Sequence, residues 1–299
     1  MVAKRDTSAA RTRTGFVDRY GPWALVAGAS EGLGAAYARA LAARGLDLVL
    51  VARRREALEE CGAALERDHG VRVRCLDGDL GDRRFLEELL ETCASLDVGL
   101  LVYNAAHAPV GPFTSARLDD LLRVAAVNVR GPVSLVHGLL PGLVARGRGG
   151  VILMTSLAGN QGSPYISTYA ASKAFIRVFA EGLWYELKDE GVDILACQAG
   201  AVRTPGYSGA SEGKDAPGTL DPEQVVAQAL AALGRKPVVV PGRLNKVAAA
   251  LMIRLLPRRR AIAIMAGNTE VLAAPQAAPA AASPTASPAA DRPRHKDAP

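Results

Sequence analysis

Three side chains near the middle of the chain have the types and spacing needed to pass a proton to an oxygen atom. Tyr169 and Lys173 lie four residues apart, and Ser156 precedes them. If this segment is helical, Tyr169 and Lys173 share one face. A free tyrosine has a pKa of about 10, and we expect the nearby ammonium to favour the charged phenol. The three residues therefore predict reduction of a carbonyl or oxidation of an alcohol.

A second motif lies near the amino end and supports the catalytic interpretation of Tyr169 and Lys173. Without it, these two residues also fit an ordinary helix face with a solvated lysine. Gly28, Gly32 and Gly34 are spaced G-x-x-x-G-x-G between an apolar run and an alanine-rich amphipathic segment. Glycine permits a sharp turn and close approach to a pyrophosphate, and the N-terminus of the following helix attracts phosphate. A merely tight strand-to-helix connection is the alternative. The order of the two motifs favours a dinucleotide-binding enzyme.

On these residues the chain resembles the short-chain dehydrogenase/reductase family in its single-domain form, from about Trp23 to about Val240. The resemblance implies a catalytic tetrad, which comprises Asn128, Ser156, Tyr169 and Lys173. It also implies a set of cofactor-binding residues: Gly28, Ser30, Glu31, Gly32, Leu33, Gly34, Arg53, Arg54, Asp79, Leu80, Asn104, Ala105, Ala106, Tyr169, Lys173, Gly200, Val202 and Thr204.

The resemblance also assigns roles and shows two departures. Asp79 is expected to contact the adenine, Lys173 to hold the nicotinamide ribose, and Asn128 to hold a water that links Lys173 to solvent. Ala106 stands where the family has glycine, and Ala199 where it has proline. We expect the first to add a methyl beneath the cofactor and the second to loosen the turn beside the nicotinamide.

The residues after the second apolar run predict NADP(H) rather than NAD(H) as the cofactor. An NAD enzyme usually carries an acid there, which binds the ribose 2′-hydroxyl. Ala52 occupies that place, and Arg53 and Arg54 follow. Arg53 is the first choice for a 2′-phosphate, since guanidinium pairs well with phosphate oxygens. Glu31 weakens the case, because many NADP-using relatives carry a basic residue there.

The elements that position these residues alternate between apolar runs and helical patterns. This alternation predicts an α/β fold, a doubly wound parallel sheet of the Rossmann type with about seven strands and helices on both faces. The expected strands are Trp23–Ala27, Leu48–Ala52, Val71–Leu76, Gly99–Tyr103, Val151–Thr155, Val192–Gln198 and Val238–Val240. Long helices are expected at roughly Leu118–Ala145 and Thr168–Glu190, and a further helix is expected to begin after Asp221.

Composition divides the chain into one domain with two tails. Residues 1–15 are basic and without periodicity, and residues 273–299 are rich in Ala, Pro and Ser, so we expect both to be disordered. Residues 16–272 form the expected dehydrogenase domain. Within it, residues 200–220 are expected to form a substrate lid, and residues 244–260 an apolar helix with a basic end. That helix is expected to pack over the pocket or a neighbouring subunit, with a membrane surface as the alternative.

Charge and cysteine usage exclude some classes of function. The net charge is +6, but basic residues concentrate before residue 20 and between 254 and 260, so a nucleic-acid-binding face is not expected. The four cysteines show no C-x-x-C spacing and the histidines are scattered, so a metal site is not expected. We therefore expect reduced thiols, a cytoplasmic protein and no metal.

Together these features predict an NADP(H)-dependent oxidoreductase that interconverts a hydrophobic ketone and a secondary alcohol. The chain looks most like relatives of hydroxysteroid dehydrogenases and long-chain oxoacyl reductases. Alternatives are a non-catalytic NADP-binding sensor or scaffold, and a membrane-surface lipid carbonyl reductase. A homodimer or homotetramer is expected, and Arg203 and Lys214 could bind a carboxylate or phosphate on the substrate. Expected pocket residues are Leu157, Pro164, Tyr165, Ile166, Pro205 and Tyr207.

Overall fold

Runs of Val, Leu and Ile form the strands of one parallel sheet, as their continuous apolar character predicts for strands covered on both faces. The computed structural model describes residues 15–210 and 215–273. Its strands are β1 Trp23–Ala27, β2 Asp47–Ala52, β3 Val73–Asp77, β4 Val98–Tyr103, β5 Gly149–Ser156, β6 Val192–Ala199 and β7 Val238–Val239. They pair in the order β3-β2-β1-β4-β5-β6-β7, so the predicted fold class is confirmed.

The helices connect these strands and cover both faces. They are α1 at 15–20, α2 Gly32–Ala42, α3 Arg55–His69, α4 Arg83–Ala94, α5 Leu118–Ala125, α6 Gly131–Ala145, α7 Ser167–Glu186, α8 Pro205–Ala210, α9 Pro222–Ala232, α10 Arg243–Arg254 and α11 Arg258–Ala273. None of the helices in the described part of the chain combines the length and the apolar character needed to cross a bilayer.

Side chains alternate between two apolar cores, one on each face of the sheet. Along β1, Ala24 and Val26 enter the core that α2, α3 and α9 cover. Leu25 and Ala27 enter the opposite core, beneath α4, α6 and α7. Both cores are almost free of water: the large side chains of Leu25, Leu48 and Leu101 have no exposed area. Burial on both faces fixes the sheet as the rigid platform for the loops at its carboxyl edge.

The strand order places a crevice where the chain changes direction across the sheet. β1 pairs with β2 on one side and with β4 on the other. The connection after β1 runs to one face of the sheet, and the connection after β4 runs to the opposite face. In open α/β sheets, ligands bind in the crevice outside the carboxyl ends of strands at such a point. Both sequence motifs begin at this edge, since the glycine turn follows β1 and Ser156 ends β5.

The long helix expected over Leu118–Ala145 is interrupted. A π-helical turn at Ala126–Arg130 separates α5 from α6. This turn could not be predicted from the sequence, because the spacing of apolar residues does not reveal a single π-helical turn. The helix expected at Thr168–Glu190 is α7, which ends at Glu186.

Two expectations for the carboxyl-terminal part need refinement. The short helix α8 lies within residues 200–220, which showed no periodicity in the sequence. The apolar-basic segment 244–260 is not one helix, because α10 ends at Arg254 and α11 begins at Arg258, with Pro257 between them. The start of α9 is as expected, since Pro222 follows Asp221 and the Gln224 side chain accepts the Asp221 backbone N–H at 3.1 Å. Residues 1–14, Lys214 and residues 274–299 lie outside the described residues.

Candidate active site

A cleft of about 740 Å³ opens at the carboxyl edge of the sheet. It brings together all but two of the site residues predicted from the sequence. Those that line it are Gly28, Ser30, Glu31, Gly32, Leu33, Arg53, Arg54, Asp79, Leu80, Asn104, Ala105, Ala106, Ser156, Tyr169, Lys173, Gly200, Val202 and Thr204. Gly34 and Asn128 lie behind its wall.

The glycine turn brings three backbone segments into contact. Gly28 has φ of 88°, a left-handed value that favours glycine. A Cβ atom there would lie 2.7 Å from the backbone nitrogen of Ala105. At Gly34, a Cβ atom would overlap the carbonyl oxygen of Gly28. The start of α2 therefore lies directly against the turn, where its free N–H groups face the cleft.

The segment after β4 supports this turn from the other side. Asn104 donates from Nδ2 to the carbonyl oxygen of Gly28 at 3.0 Å. The backbone nitrogen of Ala105 donates to Ala27 at 2.9 Å. Ala105 packs against Gly28, and both Ala105 and Ala106 line the cleft. The expectation that the methyl of Ala106, where the family has glycine, lies beneath the cofactor stays a prediction.

The two arginines after β2 differ in their surroundings. Arg54 forms an ion pair with Glu31, with Nη2 and Oε2 2.6 Å apart, while both side chains remain about half exposed. The negative charge of Glu31 is therefore balanced by the guanidinium of Arg54. Arg53 lines the same end of the cleft and forms no ion pair within the described residues. Its guanidinium is the one at this end that an anionic group could bind without displacing a carboxylate.

Asp79 has a partner that sequence reasoning did not find. Its Oδ2 accepts a hydrogen bond from Arg123 Nη2 at 2.6 Å, and its Oδ1 accepts one from the backbone nitrogen of Gly81 at 2.9 Å. Arg123 comes from α5 and lines the cleft. Because α5 carries none of the recognised motifs, only the tertiary fold could reveal it. The pair fixes the Asp79 carboxylate at the wall expected to receive the adenine.

Tyr169 and Ser156 meet at the inner end of the cleft. Burial raises the pKa of the Tyr169 phenol, and a hydrogen bond from the Ser156 side chain partly counters that rise. Ser156 Oγ also accepts from the backbone nitrogen of Ala158 at 3.2 Å, which fixes the hydroxyl. The expectation that the ammonium of Lys173 lowers the phenol's pKa is wrong for this geometry, since burial dominates. Near neutral pH, Tyr169 is therefore a protonated phenol that can donate its proton.

Lys173 lies one helical turn after Tyr169 and is almost fully buried. Its Nζ is 5.6 Å from the centre of the Tyr169 ring and donates to the carbonyl oxygen of Met154 at 2.9 Å. Burial lowers the pKa of Lys173 to about 8. The predicted shared helix face is confirmed, and Met154, which the sequence did not identify, holds the lysine through its backbone oxygen.

Asn128 is positioned by the π-helical turn, a feature found frequently at functional sites. Its Oδ1 accepts from the backbone nitrogen of His107 at 2.7 Å. Its Nδ2 donates to the His107 carbonyl oxygen at 2.9 Å and to Ser172 Oγ at 3.0 Å. The amide ties the segment after β4 to α7, next to Lys173. Its expected role as a water holder stays a prediction.

His107 was not identified from the sequence, although it follows the Asn104-Ala105-Ala106 motif and lines the cleft. Its Nε2 lies 3.6 Å from Asp120 Oδ1 and has no hydrogen-bond partner among the described residues. Burial lowers the pKa of this imidazole, and the charge of Arg123 lowers it further. The neutral ring therefore adds a polar wall without a charge.

The apolar wall of the cleft differs from the expected one, although residues 200–220 do border the cleft, through Gly200, Ala201, Val202, Thr204, Gly206 and Tyr207. Of the six expected pocket residues, Tyr207 lines the cleft, and the other five do not. Arg203 forms ion pairs with Asp215 at 2.7 Å and with Asp221 at 2.6 Å. Its guanidinium thus links the start of residues 200–220 to Asp215 and Asp221. This differs from the expectation that Arg203 could bind a carboxylate or phosphate of the substrate.

Alanine in place of the family's proline does not loosen the end of β6. Ala199 pairs with Ser156 in the β5–β6 register and is buried. A proline there would lack the N–H that strand pairing uses. Beyond it, Gly200 packs against Asn245 of α10, where a Cβ atom would lie 2.9 Å from Nδ2. The backbone beside Ser156 is therefore held by strand pairing on one side and a helix on the other.

The donor set and shape of the cleft fit a dinucleotide. A glycine turn at a helix N-terminus suits a pyrophosphate, and Arg53 suits an additional phosphate nearby. At the other end, a buried phenol, a serine hydroxyl and a lysine stand together. Among the described residues, no carboxylate contributes to the pKa shifts of Tyr169 and Lys173, so the phenol is the acidic group that can donate a proton there. The arrangement can bind a nicotinamide dinucleotide and protonate an oxygen beside it.

Comparison with known proteins agrees with this geometry. Residues 22–215 match a family model described as short chain dehydrogenase. The chain is 34% identical, over 77% of its length and 89% of the relative, to a 7beta-hydroxysteroid dehydrogenase from Clostridium sardiniense. It is 36% identical to a very-long-chain 3-oxoacyl-CoA reductase from Neurospora crassa, over 58% of the chain and 54% of the relative. It therefore spans about half the length of that second relative.

Among solved structures, the fold is similar to that of a short-chain dehydrogenase from Sphingobium yanoikuyae in complex with NADPH. The TM-score is 0.69 at 30% identity, and the similarity covers 79% of this chain and 97% of the other. The sequence matches and the fold similarity thus both indicate the same family of dehydrogenases.

Proposed function

The chain belongs to the short-chain dehydrogenase/reductase family and is an oxidoreductase acting on CH–OH and C=O groups, and from this premise we propose that it interconverts a hydrophobic ketone and a secondary alcohol with NADP(H). The observation that carries the proposal is the meeting of Ser156, Tyr169 and Lys173 on the wall of a cleft that fits a dinucleotide. A reduced nicotinamide, when bound, supplies the hydride for carbonyl reduction.

The protein supplies the proton and the placement of the reacting oxygen. In the proposed reduction, Tyr169 gives its phenolic proton to the substrate oxygen as the carbonyl carbon gains a hydride, and the product is an alcohol. Ser156 donates a hydrogen bond to the same oxygen and limits its position. The reverse reaction uses the same groups, with Tyr169 receiving the proton. The raised pKa of Tyr169 keeps that proton available near neutral pH.

Lys173 and Asn128 have supporting roles in the proposed proton transfer from Tyr169. We propose that Lys173, which already binds the Met154 carbonyl oxygen, also binds the nicotinamide ribose and restores a proton to Tyr169. Its pKa of about 8 suits a group that gives up a proton near neutral pH. The Asn128 amide is held between His107 and Ser172, and we propose that it holds a water that links Lys173 to solvent.

The proposed preference for NADP(H) rests on Arg53 and on the NADPH-bound relative. Arg53→Ala is expected to lower kcat/KM with NADPH by about 10–100-fold, the value of a charge-assisted hydrogen bond to a phosphate, with little effect on NADH. Steady-state kinetics with both cofactors measures it. Arg54→Ala is the matched control, and we expect a smaller effect because Arg54 is paired with Glu31. Equal efficiency with both cofactors in wild type and Arg53→Ala would refute the assignment.

The proposed substrate class is a hydrophobic ketone or alcohol with a steroid-like or fatty-acyl frame. The names of the two relatives support it, as do Met154, Val127 and Tyr207 on the cleft wall. A matched series of ketones of increasing chain length and ring count, tested beside small sugars, should show kcat/KM rising with apolar area. Turnover confined to small, highly hydroxylated carbonyls would overturn the proposal.

Two other functions share parts of this site. A non-catalytic NADP-binding sensor or scaffold would bind cofactor without oxidising it, and the same ketone series would reveal it as an absence of turnover. A membrane-surface lipid carbonyl reductase shares the chemistry and differs in location. The retained catalytic tetrad favours an enzyme over a sensor.

We further propose a homodimer or homotetramer that pairs through α5 and α7, which contact each other. Apolar side chains remain exposed on both helices, among them Leu118 at 67%, Leu122 at 58% and Val178 at 59%. Among the apolar side chains of α7, Phe175 and Trp184 are exposed as well, whereas Phe179 and Leu183 pack against the core beneath the sheet. Light scattering at micromolar concentration measures the mass.

For the cellular location we propose the cytoplasm, since all four cysteines are free thiols.

A further inference from the structure

The helix α10 and the turn after it carry an exposed surface that the proposed catalysis does not use. Leu244, Val247, Leu251 and Leu255 form a stripe with spacings of three and four residues, which places them on one helix face. Their exposed fractions are 54%, 65%, 46% and 74%. The neighbouring face, with Asn245 and Ala249, is buried, so α10 is anchored while the stripe faces outward. Apolar side chains at this exposure mark a surface suited to an apolar partner.

Basic side chains border this stripe. Arg243 and Arg254 lie four residues before and seven after Val247, so they share its helix face. No acidic residue occurs between 243 and 260. Within the part of the chain that the structure describes, none of these cations forms an ion pair, unlike Arg203 with its two carboxylates. The basic apolar surface comprises Leu244, Val247, Leu251 and Leu255 together with Arg243, Lys246, Arg254, Arg258, Arg259 and Arg260.

The charge on this surface limits what can cover it. A second copy of the same surface would bring like charges face to face, and no carboxylate on the surface itself would offset them. An apolar stripe beside cations with long aliphatic stems is what a helix needs to lie in the headgroup region of an anionic bilayer. We propose that the basic apolar surface binds peripherally to anionic lipid membranes, with the stripe inserted among the lipids and the cations at the phosphate level.

The position of the surface connects it to the cleft. Asn245 donates from Nδ2 to the carbonyl oxygen of Gly218, at the end of the segment that borders the cleft. Arg258 donates to the carbonyl oxygen of Asn160, in the turn that follows Ser156. A bilayer on this surface would therefore lie beside the loops around the reacting groups. The membrane binding itself does not depend on the reaction, but its use, access to apolar substrates dissolved in lipid, rests on the proposed function.

Sedimentation with vesicles tests the binding without turnover. The full chain is mixed with vesicles of phosphatidylcholine alone or of equal parts phosphatidylcholine and phosphatidylglycerol. We expect binding to the second composition only, and a loss of binding at high salt. Arg254→Glu and Leu255→Gln are each expected to weaken the partition coefficient by about fivefold or more. Both residues are exposed, so these variants should fold as wild type does.

Arg83→Glu is the matched control, since Arg83 is an exposed cation at the start of α4, after the strand at the opposite edge of the sheet from β7. It should bind vesicles as wild type does. Equal sedimentation with both vesicle compositions, or an equal effect of Arg83→Glu and Arg254→Glu, would overturn the proposal. A lower mass of Leu255→Gln by light scattering, with vesicle binding unchanged, would assign the surface to a second copy instead. Turnover of a water-soluble ketone, assayed without vesicles, reports separately on the proposed function.

Discussion

Replacing Tyr169 with phenylalanine is expected to lower kcat by about 10²–10⁴-fold while the affinity for NADPH stays close to that of wild type. The substitution keeps the ring, which packs at the inner end of the cleft, and removes the exchangeable proton. Since burial raises the pKa of the phenol, the hydroxyl keeps its proton near neutral pH and can act as the proposed proton donor in carbonyl reduction. Single-turnover kinetics gives the loss in the chemical step, and fluorescence titration of NADPH gives the affinity.

Tyr165→Phe is the control for this experiment, because Tyr165 is the nearest other tyrosine and belongs to the same loop–helix segment. Its backbone carbonyl accepts a hydrogen bond from Gly111, and its side chain does not line the cleft. It also lacks a lysine four residues later, since position 169 is itself tyrosine. Turnover should survive this change. If Tyr165→Phe removes activity and Tyr169→Phe does not, the assignment of the proton donor is wrong.

Gly34→Ala is expected to have the largest effect among substitutions away from the reacting groups. The added methyl would overlap the carbonyl oxygen of Gly28 and crowd the Asn104 amide at 2.9 Å, so either the turn or α2 must move. Overpacking of this kind lowers the free energy of unfolding by about 1–3 kcal/mol. It also displaces the N–H groups that face the pyrophosphate, so NADPH affinity should fall far more than stability does. Urea unfolding and cofactor titration measure the two effects.

Gly142→Ala separates this local clash from the general effect of replacing a helical glycine. Gly142 lies within α6, and apart from its chain neighbours and the adjacent backbone of its own helix, no atom of the described residues lies within 4 Å of the position its Cβ would take. Alanine there should raise the free energy of unfolding by about 0.5–1 kcal/mol and leave NADPH affinity unchanged. Comparable losses of affinity in both variants would contradict the role given to the glycine turn.

The sequence predicted what depends on local spacing and failed where distant elements meet. The positions of the strands along the chain, the helix start after Asp221 and the shared face of Tyr169 and Lys173 follow from periodicity and turn chemistry, which act over a few residues. Arg123 could not be found in this way, because its value lies in reaching Asp79 from another element. For the same reason, the sequence could not show that Arg203 is already paired with two carboxylates.

The pKa of Tyr169 illustrates a second limit. Spacing placed a cation beside the phenol and led to the expectation of a lowered pKa. The opposite direction follows from burial, a property of the whole cleft that no short motif contains. The same burial acts on Lys173 and directs its ammonium to the Met154 carbonyl oxygen. Motifs therefore identify which groups take part, whereas their protonation depends on the surrounding packing.

The π-helical turn at Ala126–Arg130 makes this stretch of chain sensitive to changes in its length. An extra residue in one turn offsets the angular phase of a helix by roughly 100°. That offset lets α5 present its side chains to α7 while α6 presents Leu135 and Leu143 to the core beneath the sheet. It also directs the Asn128 amide toward His107. Deleting one residue here would put the two helices back in phase and turn Asn128 away, so related chains should keep both Asn128 and the number of residues in this segment.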